Sequence, residues 1–161
     1  MEYLKYPDNA KAWVYQSNKH FDKDELDYLK VQLDDFVSDW ESHGQLLKAT
    51  TEVFYDLFVV FFVDEQGDNM CGRAQDASVN LMKRLEKELE VTFLDRMVQS
   101  YKKGEKVEVV RMADYETLIE NKEIDEDTIV YNNMITTKID FENQWEVPMK
   151  DSWHKQLIPL K

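Results

Sequence analysis

The sequence is poor in the residues that mark specialised chemistry. It has one cysteine in 161 residues, Cys71. A lone thiol cannot form an intramolecular disulfide, so the fold must rest on an apolar core and implies no oxidising compartment. Histidine appears three times, at His20, His43 and His154, and no Cys/His cluster has zinc-ligand spacing. The four glycines are never adjacent, and there are three prolines. Cations are scarce: 20 Lys and Arg stand against 33 Asp and Glu, a formal charge of −13. So acidic a chain is a poor duplex nucleic-acid binder, because phosphate affinity comes mainly from cations. An anionic membrane surface would repel it, and its partners should be basic or neutral. The longest greasy stretch, Val53 to Val63, is eleven residues interrupted by Asp56, and a membrane helix needs about 20. The N-terminus, Met1 to Asp8, has no apolar run behind a basic start. These absences predict a soluble cytoplasmic protein.

What is present is core material. Apolar residues make up 43% and aromatic residues 12%, enough for one domain over residues 1–161. A β-rich run at 12–17 predicts a short strand. A helix from about 23 to 42 follows. Asp22 and Glu25 form a capping-box pattern, and Phe21 and Leu26 a hydrophobic staple. Leu26, Leu29, Leu33, Phe36, Val37 and Trp40 recur on one face, and Gly44 reads as a left-handed helix stop. Glu52 to Asp64 predicts one long strand, apolar on both faces and therefore central. A second helix is expected from about Asp76 to Glu90, with Val79, Met82, Leu85 and Leu89 facing inward. Beyond it come a helical turn over Phe93–Met97 and a hairpin of 97–101 with 106–111. A short helix capped by Asp114 and a strand at 128–131 complete the expected core, and Asn132 and Asn133 can line a pocket or form a turn, with the turn favoured. An aromatic-containing tail spans 141–161. No internal repeat is visible. The order of elements predicts an α+β domain with a mixed sheet, a long central strand and helices packed on it.

The stretch with most chemical suggestion is the Gly67–Asp76 loop. Gly67-Asp68-Asn69-Met70-Cys71-Gly72 has the glycine spacing of a phosphate loop, after a buried strand and before a helix. The continuation does not match. Arg73 stands where a lysine would reach the β- and γ-phosphates, Ala74 where a hydroxyl would hold Mg²⁺, and Asp68 adds a negative charge. A milder reading survives, in which Gly72, Arg73, Asp76 and the helix amides bind a small anion or a nucleotide. Cys71, near a helix start and Arg73, has the setting of an acidified thiol.

Several segments are similar to those of a small bacterial family. They are Trp13-Val14-Tyr15-Gln16-Ser17-Asn18, Leu94-Asp95-Arg96-Met97, Thr136-Thr137-Lys138, Trp145-Glu146-Val147-Pro148 and Trp153-His154. The resemblance spans most of the chain. Its members are short, soluble proteins often named "ABC transporter ATPase". The resemblance implies membership and that name, and it carries no catalytic residues onto this chain. An ATPase of that class also needs an acidic strand-end motif, a Ser-Gly-Gly signature segment and a larger fold, and no two glycines of this chain are adjacent.

Other candidates are weaker. Asp64-Glu65-x-x-Asp68-Asn69 is oxygen-rich but lacks the alternate spacing of a calcium loop. Glu123 to Asp127 reads as a solvated acidic turn. Trp145, Trp153 and His154 in the tail can anchor a protein partner or a second copy, or pack on their own domain. The residues therefore point to no cofactor and no metal. The expectation is a non-catalytic interaction or accessory protein, with a small-anion or nucleotide-binding protein as the alternative.

Overall fold

Residues 1–159 are described by the computed structural model. The first strand, β1, is Lys11–Gln16. Helix α1, Lys23–Asp39, starts as its capping residues dictate. The Asp22 carboxylate accepts from the Glu25 N–H at 2.8 Å, and the Glu25 carboxylate accepts from the Asp22 N–H at 3.0 Å. The helix ends short of residue 42 because the next residues pair as a small hairpin, β2 (Glu41–Ser42) with β3 (Gln45–Leu46). His43 and Gly44 have φ of 54° and 78°. Gly44 thus serves a left-handed hairpin turn, the hand that matches strand twist, rather than stopping the helix.

The long strand expected over Glu52–Asp64 is folded back on itself. It forms β4, Lys48–Phe54, and β5, Phe58–Asp64, paired antiparallel. Tyr55 and Asp56 turn the chain, with φ of 55° and 52°. Asp56, the polar break in the apolar run, lies in this turn. β5 is the central strand, with β1 on one side and β4 on the other. Phe58 to Val63 are all buried. Val59, Phe61 and Val63 pack with side chains of α1 and of α2, Gly72–Leu89, while Phe58, Val60 and Phe62 face the second half of the molecule. The expected two-sided burial therefore falls on β5. α2 begins at Gly72, not Asp76. Trp40 donates its indole N–H to the Ala74 carbonyl at 2.9 Å, and Ala74 is buried. This long-range contact anchors an extra first turn that local propensity does not ask for.

The second half is a four-stranded sheet. β6, Val98–Lys103, and β7, Lys106–Arg111, form the expected hairpin. α3, Met112–Glu120, is capped at Arg111, and Asp114 lies in its first turn instead of at the cap. β8, Ile129–Tyr131, α4, Lys138–Gln144, and β9, Glu146–Pro148, complete the order β7-β6-β8-β9. Phe93–Met97 is not helical. It bends into a turn closed by the Val98 N–H on the Asp95 carbonyl at 3.2 Å. Every pairing within the named strands is antiparallel. The expected mixed sheet is therefore two larger antiparallel sheets plus the small hairpin, since parallel neighbours need a long crossover connection. The class is α+β.

The two larger sheets share one core. Phe58, Val60 and Phe62 of β5 pack with Val107, Tyr131, Phe141 and Trp145. The C-terminal segment is part of this architecture. Trp145 and His154 are buried, as is Met149. The last two residues of the expected tail, Leu160 and Lys161, lie outside the described residues.

Candidate functional site

The Gly67–Asp76 segment has the expected strand–loop–helix setting, and part of its amide capacity is already occupied. The Glu65 carboxylate accepts from the Met70 N–H, and the Asp64 carboxylate accepts from the Gln66 N–H at 3.1 Å. The Cys71 N–H donates to Ser42 Oγ at 2.9 Å. One carboxylate and one hydroxyl thus sit on amides of this segment, at Met70 and Cys71, that an anion could otherwise use. Gly72, Arg73 and Asp76 are exposed on the first turn of α2. Cys71 is the N-cap of α2 and half-buried. Its thiol is pulled down from 9.0 to about 7, first by the Ser42 hydroxyl, then by the Ala74 and His43 backbone. His43 is the histidine that folding brings to this thiol. Its ring nitrogen is 3.2 Å from the Asn69 carbonyl.

A different place in the molecule gathers three of the five segments quoted from the sequence. A cavity of about 610 Å³ lies where β1 meets β6 and the C-terminal segment. Val14 to Gln16, Leu94 to Arg96 and Trp153 all line it, so three of the quoted segments converge there. Its walls are apolar, with Val14, Phe93, Val98, Met112, Met134 and the Trp153 ring. Leu94 and Met134 are exposed, and Trp153 is half-buried.

The polar side chains of this cavity are three amides, Gln16, Gln99 and Asn133. They belong to one hydrogen-bonded chain. Trp145 Nε1 donates to Asn133 Oδ1 at 3.0 Å. Asn133 Nδ2 donates to Gln16 Oε1 at 2.9 Å, and Ser100 Oγ adds a bond to the same oxygen at 3.3 Å. Gln16 Nε2 donates to the Gln99 carbonyl at 2.8 Å, and Gln99 Nε2 to the Arg96 carbonyl at 3.1 Å. Gln99 Oε1 is 3.0 Å from His154 Nε2, and Ser152 Oγ is 2.7 Å from His154 Nδ1.

The orientations in this chain follow from its ends. An indole N–H only donates and a backbone carbonyl only accepts. The Trp145 indole therefore fixes the Asn133 oxygen, and the Gln99 carbonyl fixes the Gln16 nitrogen. The Arg96 carbonyl does the same for Gln99, whose oxygen must then face His154. His154 consequently carries its proton on Nε2 and accepts from Ser152 at Nδ1. Burial holds it neutral, pressing its pKa from 6.5 to about 4. Gln16 Oε1 thereby accepts two bonds and the Asn133 and Gln99 oxygens one each, while each amide nitrogen keeps one N–H without a partner among the described residues.

Two charged residues line the cavity, and their states differ. The Asp95 carboxylate accepts from the Met97 N–H at 3.0 Å and pairs with Arg111 at 3.4 Å. Arg96 is exposed and has no ion pair among the described residues. Of the tail residues expected to anchor a partner, Trp145 and His154 are sealed in the core and Trp153 forms a cavity wall. The described residues contain no group of three metal-ligating side chains and no helix long and apolar enough to cross a membrane.

Comparison with protein-family models, curated proteins and solved structures finds no match. The site therefore rests on its own geometry. Sequence reasoning quoted Gln16 only inside a longer segment, weighed Asn133 as pocket lining but favoured a turn, and passed over Gln99. The usable signal is in the strands: Gln16 and Gln99 are amides inside β1 and β6 where packing leaves them under a tenth exposed.

Proposed function

We propose that this chain is a cytoplasmic accessory protein that binds a small molecule in the cavity between β1, β6 and the C-terminal segment. The observation that carries this reading is the cavity itself, about 610 Å³ with apolar walls and an ordered amide cluster. Small-molecule sites have this character: roughly 300–1,000 Å³, mostly apolar, with a few fixed polar groups that orient the ligand. The amides are held by hydrogen bonds from a second layer, so they need little reordering when a ligand arrives. The lining side chains are suited to holding a ligand rather than moving protons, because the one carboxylate is tied to Arg111. The free thiol of Cys71 suits a reducing compartment. The chain is grouped, on the segments quoted from its sequence alone, with the small bacterial family it resembles. The small-anion or nucleotide-binding alternative keeps its place at the Gly67–Asp76 loop, where Gly72, Arg73 and Asp76 are exposed.

The test uses a neutral apolar dye, N-phenylnaphthylamine, whose fluorescence rises when it leaves water. The expected result is a saturable rise at one dye per chain. Met112→Trp, which fills the cavity from α3, should weaken the dye by about tenfold or more, the scale of one lost apolar contact set. A thermal unfolding curve confirms that the variant is folded. No dye binding to the native protein, or equal binding to the variant, overturns the reading.

A further inference from the structure

We propose that the chain forms a two-fold symmetric dimer in which β4 pairs antiparallel with β4 of a second copy. The sheet order β1-β5-β4 leaves β4 at an edge. The ladder decides which of its groups are spare. Ser17 donates its N–H to the Leu57 carbonyl, so by alternation Val59, Phe61 and Val63 bond to β1. Phe58, Val60, Phe62 and Asp64 therefore bond to Phe54, Glu52, Thr50 and Lys48 of β4. Ala49, Thr51 and Val53 turn their N–H and C=O groups away from β5, and those groups have no partner among the described residues. Such a row is a template for another strand, and proteins usually blunt it. The other edges of the two larger sheets are blunted. On β1, the Ala12 N–H donates to the Thr136 carbonyl and the Ala10 carbonyl accepts from the Lys138 N–H. β7 carries the exposed charges Lys106, Glu108 and Arg111, and β9 is three residues ending in Pro148. β4 runs for seven residues in unbroken register, with no proline or glycine.

Charge order selects a second copy as the occupant. Glu52 is half-buried and has no ion pair among the described residues. Lys48 stands four residues before it, on the same face of the strand. A two-fold axis at Thr50 sets Lys48 directly opposite Glu52 of the second copy, and Glu52 opposite its Lys48. Thr50 then faces Thr50, and Ala49 and Thr51 exchange four backbone hydrogen bonds with Thr51 and Ala49 of the copy. Opposite charges and threonine pairs across strands stabilise a sheet, and in this register no like charges face each other. The formal charge of −13 repels copies at a distance, but salt at about 0.15 M screens it beyond about 8 Å, so the local order decides. Beside the edge, the short helical turn Glu2–Lys5 packs on β4 through Tyr3 and Phe54 and leaves Met1 and Leu4 exposed, apolar area available to the second copy.

Sedimentation velocity reads the assembly directly. The chain at up to about 100 μM in about 0.15 M salt should sediment with twice the mass of one copy, since that is a hundred times a Kd of about 1 μM. Thr51→Pro removes two of the four backbone bonds between copies and none of the ladder to β5, at a position where an edge strand accepts proline. It should sediment as a monomer that still unfolds cooperatively on heating. Charge supplies a second test that leaves the backbone alone. Lys48→Glu gives an edge with two carboxylates and Glu52→Lys an edge with two ammonium groups, so each variant alone should lose affinity by about tenfold or more. An equal mixture of the two should restore the dimer, because each edge then meets its opposite. A native chain that stays monomeric throughout this range overturns the proposal. So does a dimer that survives Thr51→Pro, or a mixture that associates no better than either variant alone.

Discussion

Acidification should unlock the molecule at His154. This side chain is fully enclosed, with the Trp153 ring stacked on it at 3.8 Å and the Tyr115 ring set edge-on at 5.5 Å. Both ring nitrogens are already committed, one accepting from Ser152 and one donating to Gln99. A second proton would turn Nδ1 from acceptor to donor and place a cation in the core. Burial therefore lowers the native pKa from 6.5 to about 4. The sign follows directly. Between those values the unfolded chain holds one more proton on this residue than the native chain does. The stabilisation is complete above pH 6.5 and is lost as pH falls through about 4. The slope of stability against pH is about 1.4 kcal/mol per unit for one proton, so the whole window amounts to roughly 3 kcal/mol. Native stability is typically only about 5–15 kcal/mol, so this is a large share. Urea unfolding between pH 7 and pH 5, where few carboxylates titrate, should show this slope, and it should be absent in His154→Gln. Gln retains an N–H for Gln99 without the titrating ring. An NMR titration in which His154 changes charge with a midpoint near 6.5, or equal slopes in the two proteins, would refute the argument.

Two further outcomes are expected. Cys71 should alkylate faster at neutral pH than an ordinary thiol, because its pKa is lowered to about 7, and Ser42→Ala should slow it by removing the largest cause of that lowering; iodoacetamide kinetics read both. Phe61→Ala should cost about 3–5 kcal/mol in urea unfolding, since the buried ring meets Trp13, Tyr15, Phe36 and Trp40; a loss below about 1 kcal/mol would mean that this core collapses around the gap.

Elements specified by neighbours in sequence could be read in advance. Asp22 and Glu25 mark the start of α1 within four residues, and the reciprocal bonds are there. Gly104, at φ 64°, closes the hairpin of β6 and β7 where a turn was expected. Elements that depend on distant residues could not. Tyr55 is no turn-former, and its left-handed backbone is uncommon for a bulky side chain. Its hydroxyl donates to Glu146, 91 residues away, and its ring packs near Tyr131 and Trp145. The turn that splits the long strand is thus held by the second half of the molecule. The early start of α2 has the same origin in Trp40 and Ala74.

The cavity shows why its site escaped motif reading. Gln16 meets Gln99 across 83 residues and Asn133 across 117. No spacing rule joins an amide in β1 to one in β6 and another after β8. Their residue type says little, because an amide on a strand usually faces solvent. Only burial turns such a residue into a commitment, since a lost partner leaves a polar group unsatisfied at about 1–3 kcal/mol. Here each amide oxygen accepts at least one bond and each amide nitrogen donates one. An apolar contact between β1 and β6 would join the sheets without any buried amide, and such replacements are often neutral or stabilising. The hydrogen-bonded amides beside the cavity are therefore a feature that joining the two sheets does not require, in keeping with the proposed small-molecule site.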